Sequence, residues 1–273
     1  MNRTILNAGM ILCGEQLTPM ENGSLIIEDG IIGEILPQEA REALSIEDAE
    51  EISLPHMTLM PGMIECHNHL CIDAALPEHL ELLAWSNECQ LTLLALKGLK
   101  EDLMSGVTTA RCMGDKYYID VTLKKLIEDG KAEGPRLLAA GIGIKGSHGA
   151  GHIGMPHCGT EEIRRTCREN LKKGADLLKL FITPGVPDPF STFVPSFLSL
   201  EEISVAISEG ARLGIPTAAH CIGGQGLKDC IDGGVDVIEH MYMATEQDVE
   251  RLAASRCVVD LTSGIFLDPS REE

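Results

Sequence analysis

Short runs of apolar residues alternate with longer stretches of helical periodicity from Met57 to the end of the chain. This alternation is typical of a parallel α/β fold, in which buried strands are followed by amphipathic helices. Glycines are expected to end five of the helices, and Ser199 with Glu202 forms a capping box at the start of one of them. The five glycines are Gly106, Gly130, Gly174, Gly214 and Gly233. The seven predicted strands are 58–69, 107–112, 135–141, 175–182, 215–220, 235–240 and 257–261.

The first part of the chain has a different pattern. Residues 4–12, 24–28 and 31–35 read as strands, and the Asp29-Gly30 pair between the last two is a strong hairpin signal. We therefore predict a small β domain of β-sandwich type over residues 1–58 and an α/β domain over 59–273. A (β/α)8 barrel takes eight strands and about 250 residues. With seven strands in 215 residues, we expect a TIM-like barrel from which strand eight is missing.

Histidines stand at the ends of several predicted strands. His67 and His69 are two residues apart, so a strand places both imidazoles on the same face. His220 and His240 each close an apolar run, at the strand ends where barrel enzymes build their active sites. Each histidine alone could be a polar residue of the core or surface. Together they predict a metal site.

Lys179 lies inside the apolar run LLKLFI. A charged ammonium in a buried strand is costly, so burial should lower the pKa of this lysine. One interpretation is a lysine that reaches the rim or forms an ion pair. The other is an uncharged amine that takes up CO2, whose carbamate then bridges two metal ions as a carboxylate would.

Six motifs together resemble the amidohydrolase superfamily, most closely its imidazolonepropionase-like and Xaa-Pro dipeptidase (prolidase-like) branch. They are PGMIECHNH, GVTTAR, GPRLLAAG, LLKLFITPG, TAAHC and GVDVIEH. The resemblance implies a metal-dependent hydrolase of amide bonds with two divalent ions, zinc by preference. It implies that His67 and His69 bind one ion, His220 and His240 the other, and carbamylated Lys179 bridges them. A bridging water, activated to hydroxide, would attack the scissile carbonyl.

The resemblance also implies an Asp on strand eight as metal ligand and proton shuttle. By register, Asp260 on strand seven is a poor substitute, so the catalytic acid and base stay unassigned. His148 and His152 in the loop KGSHGAGH, together with Tyr242, are expected to hold a free carboxylate of the substrate. Arg111 is a further candidate for this contact, although it could equally be structural.

The amino-acid composition disfavours some classes of binding partner. Lys plus Arg number 22 against 42 Asp plus Glu, and a net charge of −20 disfavours nucleic acids and anionic membranes. No run reaches the roughly 18 apolar residues of a membrane span, and the N-terminus does not resemble a signal peptide. The ten cysteines form no C-x-x-C pair. We expect a cytoplasmic protein that acts on a small amide or dipeptide, with homo-oligomer formation left open.

Two alternatives remain at this stage. The first is a mononuclear cyclic-amidine or amide hydrolase or deaminase of the same superfamily. Deaminase-like relatives place a Glu three residues after the strand-five histidine, whereas this chain has Gly223 there. The second is a non-catalytic scaffold, which need not retain a metal. The substrate also stays open: dipeptides, Xaa-Pro dipeptides, N-acyl amino acids and cyclic amides all fit.

Overall fold

A computed structural model describes residues 2–43, 48–73, 75–76, 78–149, 151–186 and 190–264 of the chain. The chain divides into two compact units, Met1–Gly62 and Met63–Glu273. The elements of the first unit are β1 (Arg3–Cys13), β2 (Thr18–Glu28), β3 (Ile31–Pro37), α1 (Gln38–Glu42) and β4 (Ala49–Leu59).

The first unit is built on a four-stranded sheet in the order β3-β2-β1-β4. β1 and β3 are antiparallel to β2, and β4 is parallel to β1. The hairpin signal is confirmed, because Asp29 and Gly30 both have positive φ between the paired residues Glu28 and Ile31. One boundary differs from the sequence analysis: Thr58 pairs with Met10 of β1 and so belongs to β4 rather than to the next strand.

The second unit alternates strands and helices. In chain order its elements are β5 (Met63–Asn68), α2 (His79–Trp85), α3 (Glu88–Met104), β6 (Val107–Cys112), α4 (Ile119–Glu128), β7 (Arg136–Leu138), β8 (Ile144–Gly146), β9 (Met155–His157), α5 (Thr160–Lys173), β10 (Leu178–Phe181), α6 (Leu200–Ala211), β11 (Thr217–Gly223), α7 (Gly224–Gly233), β12 (Val237–Met243), α8 (Glu246–Ala253) and β13 (Val258–Asp260).

All strand pairs in this unit are parallel. One sheet has the order β5-β6-β7 and the other β13-β12-β11-β10-β8-β9. Each of the seven predicted runs contains one strand, and the predicted α/β class is confirmed. β8 and β9 were not predicted, because neither Ile144–Gly146 nor Met155–His157 contains a run of apolar residues. They lie in and after the glycine-rich segment that follows β7.

The core of the second unit lies between the larger sheet and its helices. Leu178 and Leu180 of β10 pack into a buried cluster with Ile163 of α5, Ile203 of α6 and Leu227 of α7. Because side chains alternate along a strand, Lys179 and Phe181 project from the opposite face of β10. The helices therefore fix the sheet and leave that opposite face for chemistry.

Helix termini follow the predicted signals closely. The capping box at Ser199 and Glu202 starts α6, and Gly174 ends α5 in the left-handed conformation. At α7 the left-handed residue is Gly234, one residue later than predicted. Over the described ranges, none of the helices combines the length and apolar character that a membrane crossing requires.

Candidate metal centre

Four imidazoles converge in the second unit. The Nε2 atoms of His67 and His69 are 3.3 Å apart, so the two-residue spacing places both rings on one face as expected. The ring of His240 lies 4.7 Å from that of His67 and 4.6 Å from that of His220, between centroids. Asn68 points away and donates to Asp102 of α3.

Three of these histidines have one ring nitrogen fixed as a proton donor. Carbonyl oxygens only accept, so Nδ1 of His69 donates to Gly114 (3.1 Å) and Nε2 of His220 donates to Pro184 (3.0 Å). The hydroxyl of Thr262 gives its proton to the carbonyl of Leu261 and therefore accepts from Nδ1 of His240. The second nitrogen of each ring keeps its lone pair, which is the form that binds a metal.

Electrostatics favours the neutral form of all four rings. Burial, followed by the nearby charge of Lys179, lowers the pKa of His67 to about 2 and that of His220 to about 4. Burial and the neighbouring His220 lower the pKa of His240 to about 2, and burial also lowers that of His69. Uncharged imidazoles facing one another are ready to coordinate a cation without first losing protons.

Lys179 is fully buried on β10, at 0% exposure. Within the described residues its Nζ has no hydrogen-bond partner, and it lies 5.3 Å from the ring centroid of Phe181. Burial lowers the pKa of the amine, and the carboxylate of Glu239 partly opposes that effect. A buried amine that lacks a hydrogen-bond partner is costly and calls for an explanation.

The backbone of β12 is kinked at His240, which has φ +80°. Cys221 pairs with His240 and Gly223 with Met243, so β12 carries one extra residue in a bulge. Strict alternation would send Glu239 and His240 to opposite faces. The kink instead brings His240 to the other histidines, while the carboxylate of Glu239 remains on the same side. A positive φ at a histidine costs free energy and is typical of functional sites.

Glu239 was missed by the sequence analysis. It is fully buried, its Oε2 lies 2.8 Å from Nδ1 of His67, and its Oε1 accepts from Arg111 at 3.0 Å. Burial raises the pKa of Glu239, and the charges of Lys179 and Arg111 oppose that shift. An acidic residue inside VDVIEH was as unusual as the lysine inside LLKLFI, and this signal could have found it.

Arg111 is held by protein groups on three sides. Besides Glu239, it donates to the carbonyl of Cys66 at 2.6 Å and to Asp260 at 3.3 Å. In the described part of the chain, His67, Glu239 and Asp260 offer ligand atoms that all lie within 4.8 Å of one another. Asp260 therefore reaches the centre, although its register on the strand predicted that it would be a poor substitute for an Asp on strand eight. Arg111 has the contacts of a structural residue.

The other candidate substrate contacts lie on or after two strands of the larger sheet, β8 and β12. His148 and His152 are exposed in the loop after β8, and the ring of His148 packs against Phe197. Tyr242 follows the kink in β12. Its ring lies 6.0 Å from that of His240, and its hydroxyl donates to the carbonyl of Gly185.

The residues fit a divalent metal centre. With Glu239 as a carboxylate accepting from Nδ1 of His67, the Nε2 lone pairs of His67 and His69 face each other across 3.3 Å. Two facing lone pairs repel unless a cation lies close to both. Among the residues that the structure describes, the buried amine of Lys179 has no hydrogen-bond partner. Imidazole and carboxylate-type donors suit zinc.

Comparison with known proteins identifies the family of the chain. Residues 58–271 match the model of the amidohydrolase family, and the chain belongs to that family. Ochratoxinase of Aspergillus niger is 27% identical over 294 residues, which cover 94% of this chain and 60% of that protein. The family membership confirms the resemblance found in the motifs. The chain spans less than two thirds of the length of this relative.

Solved structures show the same fold. The crystal structure of a Xaa-Pro dipeptidase with bound methionine in the active site is 25% identical, with a TM-score of 0.79 over 96% of this chain and 67% of that one. The crystal structure of A. niger ochratoxinase has a TM-score of 0.75 at 24% identity, over 97% of this chain and 67% of that one. The second likeness shows the fold alone.

Proposed function

We propose that this protein is a metal-dependent hydrolase that cleaves an amide bond in a small dipeptide, Xaa-Pro dipeptide or N-acyl amino acid. The observation that carries the proposal is the fully buried amine of Lys179, which has no hydrogen-bond partner in the described residues and whose charge lowers the pKa of the converging histidines. The family, and the names ochratoxinase and Xaa-Pro dipeptidase among its relatives, support amide chemistry.

The centre would hold two divalent ions. His67 and His69 would bind one ion and His220 and His240 the other, and the carbamate of Lys179 would serve as a ligand shared by both. Zinc suits this donor set. When bound, such ions would supply a water whose pKa is near neutrality and a Lewis acid for the scissile carbonyl.

The protein's own residues prepare this site. The uncharged amine of Lys179 would attack CO2, forming a carbon–nitrogen bond and releasing one proton, to give the anionic carbamate. Burial favours this step because it keeps the amine unprotonated. Glu239 would orient His67, and Arg111 would hold Glu239 in place. His148 and His152 would bind a free carboxylate of the substrate, and Tyr242 would join them by turning its hydroxyl proton from the carbonyl of Gly185 to that carboxylate.

Metal content tests the proposal directly. Protein purified without chelator and without added metal is analysed by plasma mass spectrometry, beside Lys179→Met and the surface variant Lys131→Met. We expect about two ions per chain in the wild type and in Lys131→Met, and fewer in Lys179→Met. About one ion per chain in the wild type would support the mononuclear alternative. A metal content near zero would support a scaffold and contradict the proposal.

Activity is the second test. Release of free amino acid from Xaa-Pro dipeptides and N-acetyl amino acids is measured with zinc-loaded protein. Lys179→Met should lose activity, whereas Lys131→Met should keep it. Hydrolysis that persists in Lys179→Met would contradict the role given to the carbamate. Cytoplasmic location and homo-oligomer formation stay predictions of the sequence.

A further inference from the structure

Lys145 is a buried lysine outside the ligand set of the candidate metal centre. It lies in the middle of β8 and is 6% exposed. Its register partner on β10 is Phe181, whose ring lies 6.3 Å from that of His69 and 6.0 Å from that of His220, between centroids. The preceding residue, Ile144, packs into the core on the helix side. Lys145 therefore projects from the face of the sheet on which the histidines converge.

The amine of Lys145 donates to a backbone carbonyl rather than to a carboxylate. Its Nζ lies 2.5 Å from the carbonyl oxygen of Gly151. Within the described ranges it forms no ion pair, and burial lowers its pKa without an acidic neighbour to oppose the shift. A buried amine without a counter-ion costs free energy, which an apolar side chain in the same space would avoid. The bond to Gly151 is the contact that sets Lys145 apart from such a side chain.

The bonded carbonyl orients His152. The carbonyl of Gly151 and the amide of His152 belong to one peptide group, which is planar. Fixing the carbonyl oxygen therefore fixes the direction in which the chain enters His152. This restraint matters because Gly151 has φ +89°, and glycine limits its own backbone less than any other residue. Hydrogen bonds from a charged donor are about twice as strong as neutral ones, which suits Lys145 to this task.

A different contact holds the other histidine of this segment. The ring of His148 packs edge-on against that of Phe197, 5.7 Å away between centroids. The carbonyl of Phe197 also approaches Gly146 so closely that a Cβ there would lie 1.9 Å from its oxygen. His148 is therefore held by packing close to β8, whereas the chain at His152 is held by the hydrogen bond from Lys145.

We propose that Lys145 is a positioning residue: its amine holds the carbonyl of Gly151 and so keeps the ring of His152 in place for the carboxylate of the substrate. The part that concerns a carboxylate rests on the proposed function, whereas the restraint on His152 does not. Lys145 acts through His152 and does not touch the substrate. Its contribution to stability is small, because Met would fill nearly the same space and leave the carbonyl of exposed Gly151 to water.

Backbone dynamics test the restraint without any substrate. The order parameter of the His152 amide is measured by nitrogen relaxation in the wild type, in Lys145→Met and in the surface variant Lys131→Met. We expect roughly 0.85 in the wild type and in Lys131→Met, and a value below about 0.6 in Lys145→Met. The melting temperature of Lys145→Met should equal or exceed that of the wild type, because no amine is left buried. Equal order parameters in the three proteins would overturn the proposal.

A double-mutant cycle tests the route through His152. KM and kcat for N-acetyl-L-alanine are measured with the zinc-loaded wild type, Lys145→Met, His152→Ala and the double variant. Lys145→Met should raise KM about tenfold and leave kcat within about twofold. In the His152→Ala background the same change should add nothing. Effects that add in the double variant would show that Lys145 contacts the substrate directly or acts elsewhere, and either result overturns the proposal.

The two measurements keep this inference apart from the reaction. If N-acetyl-L-alanine is not hydrolysed, its dissociation constant from calorimetry replaces KM in the cycle. If the compound is neither hydrolysed nor bound, the role towards a carboxylate is overturned. The order parameter then decides the restraint on its own: a loss of order at His152 in Lys145→Met supports it, and an unchanged value overturns it.

Discussion

Oε2 of Glu239 lies 2.8 Å from Nδ1 of His67, although 172 residues separate them in the chain. A carboxylate in this position holds the proton on Nδ1 and leaves the Nε2 lone pair for a metal. Gln is the same size as Glu but would offer His67 either an amide N–H or a neutral oxygen. We expect Glu239→Gln to weaken zinc binding about 10- to 100-fold, measured by competition with a chromophoric chelator.

The surface variant Glu250→Gln on α8 serves as the control for this measurement. A purely structural role for Glu239 would lower the melting temperature of the zinc-free protein while leaving the zinc affinity of the folded protein as it was. That result would show that Glu239 does not orient His67 for metal binding.

CO2 dependence is expected if Lys179 forms a carbamate. Zinc-free protein reconstituted in CO2-purged buffer should regain bound zinc and activity slowly, and added bicarbonate should accelerate the recovery. Lys179→Met cannot form a carbamate, so bicarbonate should leave its zinc uptake unchanged. Equal recovery of wild-type protein with and without bicarbonate would argue for an uncarbamylated lysine.

Asp115 gives a prediction for the pH dependence of stability. It is fully buried, and neither carboxyl oxygen has a hydrogen-bond partner among the described residues. Burial, with the nearby charge of Asp120, raises its pKa to about 8 from a value of 3.8 for an unperturbed side chain. Between these values the native state binds more protons than the unfolded state, so its stability falls as pH rises.

Asn cannot ionise, so Asp115→Asn should remove this loss. Urea unfolding at about pH 5 and about pH 8 should show the variant gaining on the wild type at the higher pH, on the order of 1–3 kcal/mol. Asp129→Asn, at an exposed position, reports the effect of removing one surface carboxylate. A constant difference between Asp115→Asn and wild type across this range would show that Asp115 ionises at low pH in the native state.

The pKa shift of Glu209 has the opposite direction to that of Asp115, so its effect on the pH dependence of stability is also opposite. Its buried carboxylate accepts hydrogen bonds from Arg168 and Arg164, which tie α6 to α5 and lower its pKa to about 2. The resulting stability is present above the ordinary pKa of 4.5 and is lost as pH falls towards 2. Glu209→Gln should lower the free energy of unfolding at neutral pH by roughly 1–3 kcal/mol.

The deficit of Glu209→Gln should shrink as the pH is lowered below about 4.5. Glu201→Gln, at an exposed position on the same helix, is the matched control. A deficit in Glu209→Gln that is independent of pH would indicate a packing defect rather than a lost charge interaction.

Periodicity was enough to locate the strands and the histidines but not the whole centre. His67 and His69 follow from the two-residue repeat of a strand, and Lys179 from its apolar surroundings. Glu239 was overlooked because side chains of neighbouring residues in a regular strand point to opposite faces of the sheet. The bulge at His240 breaks this alternation and places both Glu239 and His240 at the site. That bulge depends on a pairing with β11 that no local pattern encodes.

The conformation of the irregular loop after β10 could not be predicted either, because it depends on long-range contacts such as that between Tyr242 and Gly185. Asp260 reaches the centre through Arg111, a contact that joins residues 149 positions apart. Register within one strand carries no information about such a contact.

The spread of the centre along the chain also bears on how the protein is made. His67 lies on β5 and His240 on β12, so a ribosome must release most of this sequence before the four imidazoles can meet. The intervening strands have to pair first, and contacts between such distant segments form slowly. Any metal ion that these histidines bind would therefore be captured late in biosynthesis, after the strands that carry them have paired.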